Sequence, residues 1–307
     1  MKLLNFKKNN DQNDALPEDT TPNIKYFFKL LWRKLTKLVS INLLAVLQFV
    51  PIFAALAFYF WADTTPTITN TAYPIMQGIS DFESATPADI SMLFMSSIQS
   101  NELYITPVIM IVVAVLILIF ALTFGLWNVG LTYLMREMVN GNPVFIFSDM
   151  KHAIKRNFKQ GILFGILDLL LLVILYVDFK YLGGLPSSFY ADFMYVAIIA
   201  ISIVYLLMRF YLYLMLITFD IKISKLFKNA LIFVVLGLKR SLLAVVWIII
   251  MIFINIMIFM LIPPLGIIFP ILYMPTFPLF ATTYAAYPTI KQYMIDPVPQ
   301  DLDDNEE

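Results

Sequence analysis

The chain has 307 residues, of which 60% are hydrophobic and 14% are charged, and its net charge is zero. Soluble domains carry about 45–50% apolar and about 25% charged residues, so a soluble fold would leave much of this apolar surplus in water. The composition therefore excludes an ordinary soluble protein, and the zero net charge gives no reason to expect a nucleic-acid partner. Cysteine is absent, which excludes disulfides and thiolate metal sites.

Polar tails are expected at both ends of the chain. Residues 1–23 contain acids and prolines and lack the apolar core of a signal peptide. Residues 296–307 contain six acids and no basic residue. Both compositions predict disordered cytoplasmic tails around a membrane domain at 24–295.

Six apolar stretches between the tails approach or exceed the roughly 20 residues that a helix needs to cross a bilayer. They lie near 38–62, 105–135, 160–178, 193–218, 241–263 and 265–288. Backbone groups in lipid must be bonded internally, so these stretches predict an all-α, polytopic transmembrane bundle with six spans. Prolines interrupt the sixth stretch, and Pro51 lies in the first. The sixth span should be bent, either as an irregularity of packing or as a functional hinge.

The distribution of lysine and arginine predicts the orientation of the spans. No basic residue occurs from Leu38 to Met135, although this interval includes the polar stretch Thr64–Leu103, so 64–103 is expected to be external. Six spans then place nineteen of the 21 basic residues on the cytoplasmic side. Both termini should be cytoplasmic, in a multi-pass protein of the bacterial plasma membrane.

Basic residues recur at helical spacing before the first, third and fifth spans, which predicts basic helices on the inner face. An N-cap type residue precedes each group: Asn23, Asp149 and Asp220. The recurrence indicates three helical-hairpin repeats. These helices could attach to anionic lipids or form a docking face for a membrane or cytoplasmic protein partner. The basic residues concerned are Lys25, Lys29, Arg33, Lys37, Lys151, Lys155, Lys159, Lys222, Lys225 and Lys228.

Two ionisable residues stand out deep within the predicted spans, where a charge costs about 2.5–3.5 kcal/mol on insertion scales. Asp168 belongs to the third span and Arg209 to the antiparallel fourth. At about 1.5 Å per residue, both should lie roughly 12 Å above the inner boundary. We expect an intramembrane ion pair, which either locks two helices together or forms a solute or proton site.

Other intramembrane polar residues are expected to hydrogen-bond between helices, namely Asn42, Gln48, Asn128 and Asn255. His152 has no second histidine or cysteine to complete a metal site. The sequence has no nucleotide-binding loop, nucleophile elbow or zinc-binding helix. We therefore expect neither enzymatic activity nor a cofactor.

One long segment of the chain has a distinctive pattern: it begins at Gly130-Leu-Thr, contains Arg136, Gly141 and Phe147-Ser-Asp149, and ends at Asn157-Phe-Lys-Gln160. This pattern resembles the YesL-like family of bacterial membrane proteins. Asn42-Leu-Leu and the ending Tyr287-Pro-Thr-Ile-Lys291-Gln are also similar to that family, whereas the long outer segment after the first span departs from it.

The resemblance implies a membrane domain of unknown function from Gram-positive bacteria, often encoded beside systems for carbohydrate uptake and degradation. It supplies no catalytic residues. Two functions remain open. The first is an accessory or interaction protein associated with carbohydrate uptake, and the second is a small-solute transporter with its site around Asp168 and Arg209.

Overall fold

The computed structural model describes residues 22–60, 78, 86–89, 91 and 107–296. Most of the predicted tail 1–23 and all but the first residue of the tail 296–307 lie outside these residues. The predicted external segment 64–103 also lies outside them, except for 78, 86–89 and 91.

Within these ranges the chain forms ten helices of eleven or more residues. They are α1 Ile24–Val46, α2 Val50–Phe60, α3 Pro107–Val139, α4 Ile146–Arg156, α5 Phe158–Gly183, α6 Phe189–Thr218, α7 Ile223–Leu236, α8 Leu238–Leu261, α9 Pro263–Tyr273 and α10 Thr276–Ile290.

Five helical segments are long and apolar enough to cross a membrane: α1 with α2, α3, α5, α6 and α8. The pair α9 and α10 passes the same test but is bent by 45°, and it makes a sixth span if the two are counted as one. The predicted all-α, multi-pass fold is therefore confirmed, and the sixth span is bent as its prolines indicated. The orientation of the termini stays a prediction.

The helix starts differ in part from the predicted N-caps. Asn23 does cap α1, since its side chain accepts a hydrogen bond from the Tyr26 amide at 2.7 Å. Asp149 does not cap α4, because that helix begins earlier and the Asp149 carboxylate instead accepts from the Phe145 amide at 2.7 Å. Asp220 precedes α7 without capping it, since Lys222 occupies the N-cap position.

Two of the basic residues also lie outside the short helices to which they were assigned. Lys159 lies in the first turn of α5, because α4 ends at Arg156, and Lys222 precedes α7. Asn157 and Gly237 join α4 to α5 and α7 to α8 with similar backbone angles, φ −111° and ψ 20° against φ −101° and ψ 16°. A short basic helix followed by two spans thus occurs twice, whereas α1 runs directly into the first span.

The first span contains one tight turn, at Leu47–Phe49, and continues beyond it. Pro51 has no amide hydrogen, so it cannot bond the carbonyl of Leu47 four residues earlier. That carbonyl instead accepts from the Val50 amide, three residues on, and the turn tightens accordingly. Gln48 lies in this turn and is buried.

The inner half of α6 forms the centre of the bundle. Every residue from Tyr211 to Ile217 is buried, which requires neighbours on all sides of the helix. Helices α3, α5, α7 and α10 supply those neighbours. A large aliphatic or aromatic side chain is therefore accommodated at each of these seven positions, as expected for a helix that is buried on all sides.

Helices α3 and α5 approach each other most closely at three glycines. A Cβ atom on Gly125 would overlap the Gly161 carbonyl oxygen and the Gly165 Cα, and a Cβ on Gly165 would overlap the backbone of Gly125. Small residues at four-residue spacing allow such backbone contact between membrane helices, where dispersion contributes much of the attraction.

We predict that Gly165→Ala separates α3 from α5 and lowers stability by about 1–3 kcal/mol, as overpacking does elsewhere. Gly184→Ala is the matched control, since the nearest atom to its new Cβ would be 3.5 Å away. Thermal unfolding in detergent and abundance in membranes measure the difference. Equal behaviour of the two variants would contradict the close approach.

Candidate functional site

The structure brings Asp168 of α5 and Arg209 of α6 together as an ion pair. Nη2 of Arg209 donates a hydrogen bond to Oδ2 of Asp168 at 3.0 Å, and Nε lies 2.9 Å from Oδ1 without hydrogen-bond geometry. Asp168 is completely buried, whereas the Arg209 side chain is 24% exposed. The guanidinium of Arg209 therefore lies against both carboxylate oxygens of Asp168, and part of the arginine side chain remains exposed.

Two tyrosines that the sequence analysis did not select complete this cluster. Tyr205 donates its hydroxyl hydrogen to Oδ1 of Asp168 at 2.7 Å, and Tyr213 donates to Oδ2 at 2.7 Å. Tyr205, Arg209 and Tyr213 follow one another at intervals of four residues, which places them on one face of α6. In the sequence, the signal for this cluster was the position of one tyrosine four residues before Arg209 and another four residues after it.

This arrangement satisfies the buried carboxylate with three donors. A buried ion pair repays its desolvation only when further hydrogen bonds satisfy the remaining lone pairs, and the two tyrosines do so. If the two charges were exchanged by Asp168→Arg with Arg209→Asp, the same tyrosine hydroxyls would face a guanidinium in place of the carboxylate. Such a charge swap is therefore a poor test of pairing at this site.

A cavity of about 240 Å³ lies on the exposed side of Arg209, between the α1–α2 turn and helices α3, α6, α8 and α10. Asp168 is not among the residues that line it. Most of the wall is apolar, and the cavity is bounded by Ala45, Gln48, Phe49, Phe124, Trp127, Asn128, Leu131, Thr132, Leu206, Arg209, Phe210, Tyr213, Ile248, Pro275, Pro278, Leu279, Thr282 and Thr283.

Two polar side chains on this wall lack hydrogen-bond partners among the described residues. Both amide atoms of Gln48 and the hydroxyl of Thr132 are buried and unpaired. Other polar residues of the wall are satisfied within their own helices: Asn128 donates to the Phe124 carbonyl at 2.8 Å and Thr282 to the Leu279 carbonyl at 3.0 Å. The predicted interhelical bonds of Gln48 and Asn128 are therefore not formed between described residues.

Asn42 joins α1 to the break between α9 and α10. Its amide nitrogen donates to the Ile271 carbonyl at 2.6 Å, and its amide oxygen accepts from the Thr276 amide at 3.0 Å and from the Thr276 hydroxyl at 2.8 Å. One buried side chain thus satisfies backbone groups on both sides of the break. Asn255 also reaches another helix, donating to the Gly266 carbonyl at 3.4 Å.

Hydrogen bonds between distant segments tie together one end of the bundle. At this end Arg136 donates to Thr218 at 3.2 Å, Asn140 to Tyr287 at 3.1 Å and Gln160 to the Ile221 carbonyl at 2.7 Å. These contacts gather the ends of α3, α6 and α10 beside the start of α5. The basic residues predicted for the inner face are exposed here: Lys25, Lys29, Arg33, Lys37, Lys151, Lys155, Lys159, Lys222, Lys225 and Lys228.

We predict that Arg209→Gln is strongly destabilising, because it leaves the Asp168 carboxylate buried without its cation. Removing one partner of a buried pair costs about 3–5 kcal/mol. The double variant Asp168→Asn, Arg209→Gln removes both charges and should be more abundant in membranes than the worse single variant. Additive losses would contradict coupling, and Asp178→Asn on the same helix is the control.

Comparison with known proteins gives one match. Residues 92–179 match the model of a family described as "Protein of unknown function, DUF624". The described part of this stretch comprises α3, α4 and most of α5, including Asp168. No curated protein and no solved structure gave a significant match. Residues 92–179 are thus similar to the family that includes the YesL-like proteins, which confirms the resemblance found in the sequence.

Proposed function

We propose that this protein is a non-enzymatic accessory or interaction protein of a bacterial plasma membrane, linked to carbohydrate uptake. The observation that carries the proposal is the basic end of the bundle, where ten selected lysines and arginines are all exposed. The positive-inside rule assigns such an end to the cytoplasm, together with both termini. The link to carbohydrate rests on the family resemblance alone.

The basic helices do not lie on this end as independent lipid-binding segments. The apolar face of α1 is buried within the protein at Phe27, Leu31 and Leu38. The apolar face of α4 is buried likewise at Met150 and Ala153. Much of both apolar faces is therefore already used for packing, and the surface left for other molecules carries the basic residues together with exposed aromatic side chains such as Trp32 and Phe147.

Large aromatic side chains remain exposed beside these charges. Phe145, just before α4, is 67% exposed, and Phe147, within α4, is 76% exposed. Lys151 follows on the same helix. Aromatic side chains among cations suit both an acidic protein surface and the headgroups of anionic lipids. We propose that α4 contacts an acidic partner while the surrounding lysines hold the surface near anionic lipid.

We predict that Phe147→Ala with Lys151→Gln lowers recovery of crosslinked partner from native membranes by about tenfold, or roughly 1.4 kcal/mol. Tyr181→Ala with Lys180→Gln is the control, since it removes an exposed aromatic ring and an exposed lysine from the α5–α6 end. Quantitative mass spectrometry after crosslinking and purification is the measurement. Unchanged recovery with the first pair, or equal loss with both, would overturn the proposal.

A second candidate function is small-solute transport, and one observation favours it. The cavity beside Arg209 touches the tight turn of the first span, through Gln48 and Phe49, and the bent pair α9 and α10, through Pro275 and Pro278. Interrupted helices that meet at a cavity in the membrane are a feature of transporter binding sites. The site proposed here lies beside Arg209, with Asp168 behind it.

Transport predicts flux through the protein alone. Liposomes containing it should swell in xylitol at least about tenfold faster than empty liposomes, and slower when the protein carries Gln48→Leu, which alters the cavity wall. Stopped-flow light scattering measures the rate, with gluconate and choline as charged solutes for comparison. Rates equal to those of empty liposomes for all three solutes would contradict this candidate.

A further inference from the structure

We infer that a groove between α1, α8 and α10 is a binding site for one acyl chain of an anionic phospholipid, whose phosphate lies against Arg240. The groove shares no lining residue with the cavity beside Arg209, and the inference is independent of both functions proposed above. It is carried by the walls of the groove, its accessible apolar surface, its length and its charge.

Three helices form the walls of this groove. The start of α1 forms one side and the first half of α8 forms the other. The floor is formed by small residues of α10 one helical turn apart, Ala281 and Ala285. Tyr284 of α10 donates its hydroxyl hydrogen to the Asn23 carbonyl at 2.8 Å, and the rings of Phe28 and Trp247 join α1 to α8 by an edge-to-face contact. These contacts hold the three helices together, so the groove exists without a ligand.

Accessible apolar side chains border the groove. Five of its lining residues are 44–60% exposed: Ile24, Phe28, Leu243, Val246 and Ile250. Three of them belong to α8, which is long and apolar enough to cross a membrane, so their exposed surface meets lipid rather than water. The groove has a volume of about 290 Å³. An apolar cavity of about 150 Å³ holds benzene, so this groove holds roughly a dozen carbon atoms of an acyl chain.

The length of the groove matches one leaflet of a bilayer. It begins at Arg240 in the first turn of α8 and extends to Ile250. At about 1.5 Å per residue this distance is about 15 Å, which is half of a hydrocarbon core of roughly 30 Å. The hydroxyl oxygens of Ser241 and Tyr211 lie 2.8 Å apart, which places the start of α8 beside the inner half of α6, at the basic end of the bundle. An acyl chain that enters beside Arg240 therefore reaches the middle of the bilayer.

The charge at the mouth of the groove favours an anionic headgroup. Arg240 is half-buried and forms no ion pair or hydrogen bond with the residues that the structure describes. Its nitrogens are not among the buried unpaired atoms, so the guanidinium is accessible. No acidic residue lines the groove, and Lys25 and Lys239 are exposed next to lining residues.

This charge distribution selects among phospholipids. A guanidinium can bond two phosphate oxygens at once, and basic pockets between membrane helices bind anionic headgroups. A zwitterionic headgroup would place its ammonium group among the same cations. An anionic phospholipid is therefore favoured over a zwitterionic one with the same acyl chains.

Quenching of Trp247 fluorescence by brominated lipid tests the inference, because this tryptophan lines the groove. Three substitutions leave it as the only tryptophan of the full-length chain: Trp32→Phe, Trp61→Phe and Trp127→Phe. In phosphatidylcholine nanodiscs, phosphatidylglycerol with brominated chains should half-quench Trp247 at about fivefold lower mole fraction than phosphatidylcholine with the same chains. This is the preference expected from one cation near an anionic headgroup.

Variants at the mouth of the groove separate a defined site from general surface charge. Arg240→Gln should remove most of the preference for phosphatidylglycerol, whereas Arg240→Lys, which keeps the charge but not the two-pronged geometry, should keep about half of it. Lys239→Gln is the matched control, since it removes a neighbouring cation that does not line the groove. It should quench as the parent protein does.

Native mass spectrometry gives a second measurement that does not depend on the tryptophan substitutions. The otherwise unmodified protein, purified from an equimolar mixture of the two lipids, should retain phosphatidylglycerol over phosphatidylcholine by about fivefold. Arg240→Gln should retain the two lipids equally.

Three results would overturn the inference. The first is equal quenching of Trp247 by the two brominated lipids. The second is an equal loss of preference in Arg240→Gln and Lys239→Gln, which would show attraction to surface charge in general. The third is no quenching by either lipid, which would show that protein covers the groove, either residues 1–21 or a second copy of the chain.

Discussion

The structure depends on one constraint, that a polar group within the hydrocarbon core must find its partner inside the protein. Asp168 meets it most completely, since a guanidinium and two phenol hydroxyls converge on a carboxylate with no exposed surface. Three of the four participants come from α6, the helix at the centre of the bundle. Because α5 supplies the fourth, the cluster fixes both the distance between these two spans and their rotation about their axes.

The same constraint explains how the chain tolerates prolines within its spans. Between α9 and α10 the backbone leaves the helical ladder, and Asn42 of the neighbouring α1 bonds one backbone group on each side of the break. At Pro51 the backbone instead tightens to a turn of three residues, and the span continues. Gln48 in that turn is buried, and its amide has no hydrogen-bond partner among the described residues. Pro51 therefore tightens a helix, whereas Pro275 lies where two helices meet at 45°.

Much of the fold could be predicted from the sequence, because the length of the apolar stretches and the spacing of the charged residues directly indicate membrane helices. The contact of Asp168 with Arg209 was accessible too, since two opposite charges at equal depth on antiparallel neighbours have few alternatives. Tyr205 and Tyr213 were missed because tyrosines in spans are common and only the four-residue spacing marks them. The helix start near Asp149 was wrong because a carboxylate in the first turn can bond backward to an earlier amide, as Asp149 does. The start near Asp220 was wrong because α7 begins three residues later, with Lys222 at the N-cap position. Unpaired atoms such as those of Gln48 depend on three-dimensional surroundings that no local pattern encodes.

Whether a buried polar group has a hydrogen-bond partner affects which residues bear on function. Sequence reasoning directs attention to Asp168 and Arg209 because charges are costly in lipid, yet the carboxylate is the better satisfied of the two and does not reach the cavity. Its contribution is to hold Arg209 and to compensate its charge at the edge of a mostly apolar cavity. Arg209 therefore belongs to both parts of the protein: its guanidinium contacts α5 through Asp168, and its side chain also lines the cavity whose wall includes Gln48 and Thr132. A change at Asp168 would act on the cavity only through that arginine, whereas a change at Gln48 would act on it directly and leave the helix contact intact.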